Sequence, residues 1–122
     1  MDQGVIAGIG NLYRSEILFR TRVDPHTPGN RLSRRAFDAI WAETMRLMPV
    51  GVAMGQIVTR KDHLEAVEAE LAAGGPQPAP VPREFYVYQR TGEPCLVCGA
   101  RVRTEVAAGR NLFWCGRCQR RH

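Results

Sequence analysis

Residues 95–118 read CLVCGARVRTEVAAGRNLFWCGRC. Two Cys-x-x-Cys pairs, Cys95–Cys98 and Cys115–Cys118, stand sixteen residues apart. That is the spacing of a ribbon in which each pair occupies a tight turn and four sulfurs face one ion. Between the pairs, Val102, Thr104 and Val106 alternate with Arg101, Arg103 and Glu105, the period of a strand. Ala107-Ala108-Gly109-Arg110 supplies a turn, and Asn111-Leu112-Phe113-Trp114 returns into the second pair. Gly99 and Gly116 are placed to give the turns backbone freedom, with backbone N–H groups bracing the sulfurs. Four soft thiolates in a tetrahedron select zinc and leave no open position, so Cys95, Cys98, Cys115 and Cys118 are expected to hold one structural zinc ion. Two disulfides and a rubredoxin-like iron are the competing readings of the same cysteines. A metal is also expected on energetic grounds. The segment from Arg90 to His122 has few large apolar side chains to offset its ordering entropy. A structural zinc ion supplies about 10–16 kcal/mol in small fingers.

The net charge of +5 is concentrated in the same segment. From Arg90 to His122 there are seven arginines against Glu93 and Glu105, whereas the first 89 residues hold ten basic and ten acidic side chains. Sixteen of the 17 basic residues are arginine, whose rigid donor fork suits phosphate better than a lysine point charge. No run of 18 apolar residues exists, so a membrane span is not expected. A soluble, cytoplasmic protein associated with nucleic acid is the expectation.

Upstream, Val5-Ile6-Ala7-Gly8-Ile9-Gly10-Asn11 is cut by glycines at a density that predicts a tight turn, with Asn11 capping a helix that ends before Asp24-Pro25. Ser33 is the next expected cap. Phe37, Ile40, Trp41, Thr44, Met45, Met48 and Val52 then recur at helical spacing, which predicts an amphipathic helix over 34–54 with this stripe in the core, kinked or split at Pro49. Asp62-His63-Leu64-Glu65 has a capping-box arrangement before a short helix reaching Ala73. Residues 74–84 are rich in Pro and Gly and predict a stiff linker, and Phe85–Tyr88 a short strand.

Two motifs at opposite ends of the chain resemble one family. Asp2-Gln3-x-x-Ile6-Ala7-Gly8-Ile9-Gly10-Asn11-x-Tyr13-Arg14-x-Glu16 looks like the helix-two-turn-helix motif of the formamidopyrimidine-DNA glycosylase and endonuclease VIII family. Tyr88-x-Arg90-x-Gly92-x-x-Cys95 through Gly109-Arg110-x-x-x-Trp114-Cys115-x-x-Cys118-Gln119 looks like its C-terminal zinc ribbon, and Trp114-Cys115 leans toward the endonuclease VIII branch.

The resemblance implies a mainly α fold with a small β ribbon: a helix-two-turn-helix domain over 1–73 with its first helix truncated, a linker over 74–84 and a zinc ribbon over 85–122. It implies a DNA-repair role in base excision, with double-stranded damaged DNA as partner and a monomeric full-length enzyme in a prokaryotic nucleoid. Asn11, beside Gly10, matches the asparagine that binds a phosphate flanking the lesion. Arg110 matches the hairpin-tip arginine that grips the phosphate near the flipped nucleotide and is assigned a part in δ-elimination. The family's N-terminal proline nucleophile, the following glutamate and the assisting lysine have no counterpart in a chain that opens Met1-Asp2-Gln3. The expectation is therefore the DNA-binding C-terminal half of a glycosylase and abasic-site lyase, inactive by itself. A stand-alone zinc-ribbon DNA-binding module is the alternative. With the first helix truncated, the surface around Ile6, Ile9, Leu12 and Phe19 is expected to be uncovered.

Overall fold

The computed structural model describes residues 3–75, 78–107 and 109–119. Three helices, α1 (Gln3–Arg20), α2 (Arg34–Met54) and α3 (Lys61–Ala72), precede a hairpin of β1 (Arg103–Ala107) and β2 (Arg110–Trp114). This is the expected class, a helical domain followed by a small antiparallel hairpin carrying four cysteines.

α1 departs from expectation at its start. The glycine-rich run is not a turn but part of a continuous helix, and Asn11 lies in its middle rather than at a cap. Glycine costs about 1 kcal/mol against alanine in a helix, a weak preference that tertiary packing overrides. Here the packing comes from the following turns, where Leu12, Tyr13, Ile17 and Phe19 are all buried. Leu12 and Phe19 are therefore not uncovered. Phe19 stacks on Tyr86 with ring centroids 4.7 Å apart, and of the expected bare surface Ile9 is exposed while the side chain of Ile6 lies outside the described residues. The helix ends as expected, in a turn where Val23 N–H bonds the Leu18 carbonyl ahead of Asp24-Pro25.

Ser33 caps α2, its Oγ accepting from Ala36 N–H at 3.1 Å, and Pro49 lies inside the helix without ending it. The buried face is not the expected one. Leu47, Val50, Gly51 and Met54 turn inward, while Phe37, Trp41, Met45 and Met48 are about half exposed and Val52 is 85% exposed. α2 is apolar on more than one side, so helical periodicity is satisfied by two stripes at once. The choice falls to Gly51, against which the Tyr13 hydroxyl packs so closely that an added Cβ would collide with it. Tyr13 and Ile17 of α1, Leu47, Val50 and Met54 of α2, and Val58, Leu64 and Val67 form this core.

α3 begins one residue before the expected capping box. Arg60 is its N-cap and makes no side-chain cap bond; its guanidinium instead reaches Asp62 at 3.1 Å and Glu84 at 2.6 Å. Val81 returns along the helical core, exchanging two hydrogen bonds with the Gln56 amide (2.5 and 3.1 Å).

Phe85–Tyr88 is not a strand. Its backbone donors are taken by one fully buried side chain, Glu16 of α1. Oε1 accepts from Thr59 Oγ1 (2.5 Å) and Tyr86 N–H (2.7 Å), and Oε2 from Val87 N–H (2.8 Å) and Tyr88 N–H (3.2 Å). Four donors compensate the desolvation of the carboxylate, and three consecutive N–H groups bent toward one point cannot pair with a strand.

Glu16→Ala is expected to cost about 3–5 kcal/mol, because four buried donors lose their acceptor. Urea denaturation should show the loss, and hydrogen exchange should show the 86–88 amides losing protection first. Gly51→Ala is expected to destabilise by about 1–3 kcal/mol through displacement of Tyr13.

Candidate metal centre and nucleic-acid interface

The hairpin pairs Arg103 with Trp114 and Ala107 with Arg110, so the alternating segment is a strand as expected, though β1 is exposed along its whole length. It lifts Cys115 out of β2 onto the first knuckle, where Cys95 N–H bonds the Ala100 carbonyl at 2.7 Å. The four Sγ atoms lie within 4.8 Å of one another, with Cys95–Cys118 at 3.8 Å and Cys98–Cys115 at 3.4 Å. A disulfide needs about 2.05 Å, so these are four free thiols. A tetrahedron with metal–sulfur bonds of about 2.3 Å has edges of about 3.8 Å, which is the scale of this cluster. Val97 N–H and Cys118 N–H each point at the sulfur that opens their knuckle, Cys95 and Cys115, at 3.4 Å.

The electrostatics also fit a cation. The Cys98 thiol is lowered to about 7, chiefly by the Ala100 N–H. Burial pushes Cys115 up, and burial followed by the neighbouring thiols pushes Cys118 up. Four thiolates this close repel one another, and a divalent ion at their centre is what lets all four ionise. The cluster is thus compatible with a structural metal site. Gly99 adopts φ +79° as the first knuckle requires, whereas Gly116 is not left-handed; the Arg103 guanidinium lies 3.1–3.3 Å from where its Cβ would stand.

Of the residues expected to meet phosphate, Arg110 is exposed and opens β2 at the hairpin turn. Gly10 is exposed, with open space where a Cβ would project. Asn11 is only 8% exposed, and its Nδ2 donates to the Asn111 carbonyl at 2.8 Å. That bond joins residues 100 apart in sequence and sets Asn11 against the neighbour of Arg110.

Three further residues lock the ribbon to the helices, and spacing alone did not single them out for this role. Glu16 holds its entry, as described. Gln119, just past the last cysteine, accepts from Cys115 N–H at 2.9 Å and donates to the Val23 carbonyl at 2.9 Å. His26 sits between Asp24 (2.8 Å, Nδ1) and Glu105 of β1 (2.5 Å, Nε2), with its ring edge-on to Trp114 at 4.8 Å. Both ring nitrogens face carboxylates, so the charged imidazolium satisfies both. Its pKa is raised from 6.5, first by the Glu105 bond and then by Asp24. A sequence signal for His26 existed only in its isolated position in the Asp24-Pro25 loop.

Residues 1–63 match the family model "Formamidopyrimidine-DNA glycosylase H2TH domain", and residues 92–121 match "Zinc finger found in FPG and IleRS". The chain is 47% identical over 119 residues to Endonuclease 8 1 of Mycobacterium tuberculosis, covering 98% of this chain and 42% of that protein. It is 32% identical over 120 residues to the formamidopyrimidine-DNA glycosylase of Bdellovibrio bacteriovorus, covering 98% and 41%. The solved MutM (Fpg) of Thermus thermophilus superposes with a TM-score of 0.65 at 29% identity, over 93% of this chain and 40% of that one. Lactococcus lactis Fpg in complex with Fapy-dG-containing DNA superposes at 0.67 and 24% identity over 92% and 37%, a likeness of fold. The chain therefore spans about two fifths of the length of these relatives. Among the described residues no helix is long and apolar enough to cross a membrane.

His26 makes a signed prediction. A raised folded pKa means its links to Asp24 and Glu105 stabilise fully below the unfolded value near 6.5 and are lost as pH rises through the folded value. With metal saturating, protection of the hairpin amides should fall from pH 6 to pH 9, and His26→Gln should flatten that decline. A flat profile in the wild-type chain would contradict the bridge.

Proposed function

Because the chain belongs to the formamidopyrimidine-DNA glycosylase and endonuclease VIII family, we propose that it is the DNA-binding portion of a base-excision-repair glycosylase and abasic-site lyase. Its cysteines hold one zinc ion, and its Arg110 and Asn11 grip phosphates of damaged double-stranded DNA. The observation that carries this reading is the 2.8 Å bond from Asn11 Nδ2 to Asn111 O, which ties the helical motif to the residue beside Arg110.

The chemistry follows from the donors. Arg110 offers an exposed guanidinium fork at a hairpin tip, suited to a bidentate phosphate contact. Asn11 carries two N–H bonds on Nδ2; one is spent on Asn111, and the second is what a phosphate would meet, since Oδ1 can only accept. The exposed Gly10 presents no side chain in front of it, so a sugar–phosphate backbone can approach. Arg110 then anchors and neutralises charge in the δ-elimination step, the role that suits a planar, delocalised guanidinium fork. Zinc supplies folding energy to the ribbon and keeps Asn111 in place. The amine nucleophile and the carboxylate belong to the part of the full-length relatives that these 122 residues do not span.

Three experiments test the reading. In titrations of the zinc-loaded chain with a duplex carrying an abasic-site analogue, Arg110→Ala should weaken binding for every sequence and reduce the logarithmic salt slope by about one. Loss of affinity for one sequence only would point to base readout instead. Borohydride trapping on abasic DNA should yield no covalent adduct above free-amine controls, and an adduct would place a nucleophile in this chain. Chelation, or Cys98→Ser, should release one zinc ion and remove hairpin protection.

A further inference from the structure

Resting on that reading, we infer that the ribbon carries a second phosphodiester site, formed by Arg101, Arg103 and Arg117 at the end of the hairpin opposite Arg110. An open concavity of about 470 Å³ is lined by Ala100, Arg101, Arg103, Gly116 and Arg117 alone. Every side chain in it longer than a methyl is an arginine.

The three cations are held together by the fold. Arg101 and Arg103 fall two apart across the buried Val102, so they project from the same side of the chain. Arg101 is braced by a 2.8 Å bond from its Nη1 to the Gly92 carbonyl, which among the described residues leaves the rest of its fork unspent. Arg103 lies over Gly116, so close that even a Cβ there would press on it, which brings it to the knuckle bearing Arg117. Among the described residues, no carboxylate pairs with Arg103 or Arg117. The nearby acid on the same strand, Glu105, is engaged by His26, and Glu93 by Arg90 at 3.5 Å. Like charges gathered without a counter-ion repel one another, so an anion between them relieves a cost the free chain bears.

A nucleic-acid backbone fits better than an acidic protein surface. The lining offers no apolar anchor, and the planar forks match phosphate oxygens. The spacing also suits a backbone. From Arg110 to Trp114, the partner of Arg103, is four residues of strand, roughly 13 Å at about 3.3 Å each. That equals the axial advance of about four nucleotides on one strand of duplex.

The test compares the zinc-loaded wild-type chain with Arg103→Gln/Arg117→Gln and with Arg110→Ala. The probe is a labelled duplex of about 20 base pairs, long enough to span both sites, with zinc content and hairpin amide protection checked in each protein. The double variant should bind more weakly across sequences and lose about two units of salt slope, at about 0.9 per phosphate contact. In the wild-type chain the Gly116 amide resonance should shift on adding duplex. It should shift much less with inorganic phosphate, or with polyglutamate, at equal charge. A double variant with unchanged affinity and slope would overturn this site while leaving the contacts of Arg110 and Asn11 standing. Equal shifts with inorganic phosphate would make it a free-anion site, and larger shifts with polyglutamate a protein-docking site; either overturns the assignment. No duplex binding by the wild-type chain would sink both readings together.

Discussion

The buried carboxylate of Glu16 is the constraint on which the arrangement of helices and ribbon depends. It sits on α1 with no access to water, and its four donors come from two other segments: Thr59 before α3, and the consecutive amides of Tyr86, Val87 and Tyr88. An unsatisfied charge in that position would be costly enough to unfold a small domain, so the 86–88 backbone is obliged to curl around it. The curl places Tyr86 on Phe19 and sends Val87 into a core shared with Val102, Phe113, Cys95 and Cys115. Arg20 works alongside, joining Glu43 of α2 at 2.7 Å and the Thr59 carbonyl at 2.7 Å. Helical domain and ribbon are thereby packed as neighbours with shared side chains, not merely tethered.

Around that junction the ribbon is attached at points of different chemistry. Gln119 makes neutral bonds that do not respond to pH, whereas His26 can donate to Asp24 and to Glu105 of β1 together only while its ring is charged. Asn11 bonds the backbone beside the hairpin turn. The cysteine cluster lies behind all of them, since β1 and β2 run from one knuckle to the other. A metal there would act at a distance on the residues proposed to meet phosphate: it would hold the hairpin, the hairpin holds the Asn111 carbonyl, and that carbonyl orients Asn11.

The ribbon was legible in the sequence because its determinants are local. Cysteine spacing, a period of two and a turn between arms of matched length specify a hairpin without reference to the rest of the chain. Ser33 was legible for the same reason. The stripe on α2 was not, because Phe37, Trp41, Met45, Met48 and Val52 satisfy helical period as well as Leu47, Val50, Gly51 and Met54 do. The glycine-rich start of α1 read as a turn because a propensity of about 1 kcal/mol per residue is visible in sequence and the packing that outweighs it is not. Phe85–Tyr88 had the composition of a strand, but its amides were claimed by a glutamate about seventy residues away.

By itself, the sequence determined that four sulfurs would gather on two turns joined by a hairpin, that basic charge would concentrate there, and that three helical segments would precede it. These are matters of spacing and composition, in which neighbours along the chain supply the energy. Only the tertiary structure decided which face of α2 is buried, that Asn11 points at Asn111, that Glu16 takes three backbone donors from the entry to the ribbon, and that Arg103 lies over Gly116 and lines one concavity with Arg117. Each of these depends on a group brought from far along the chain, and the energy of such a contact appears only after the entropy of closing the intervening loop has been offset by burial elsewhere.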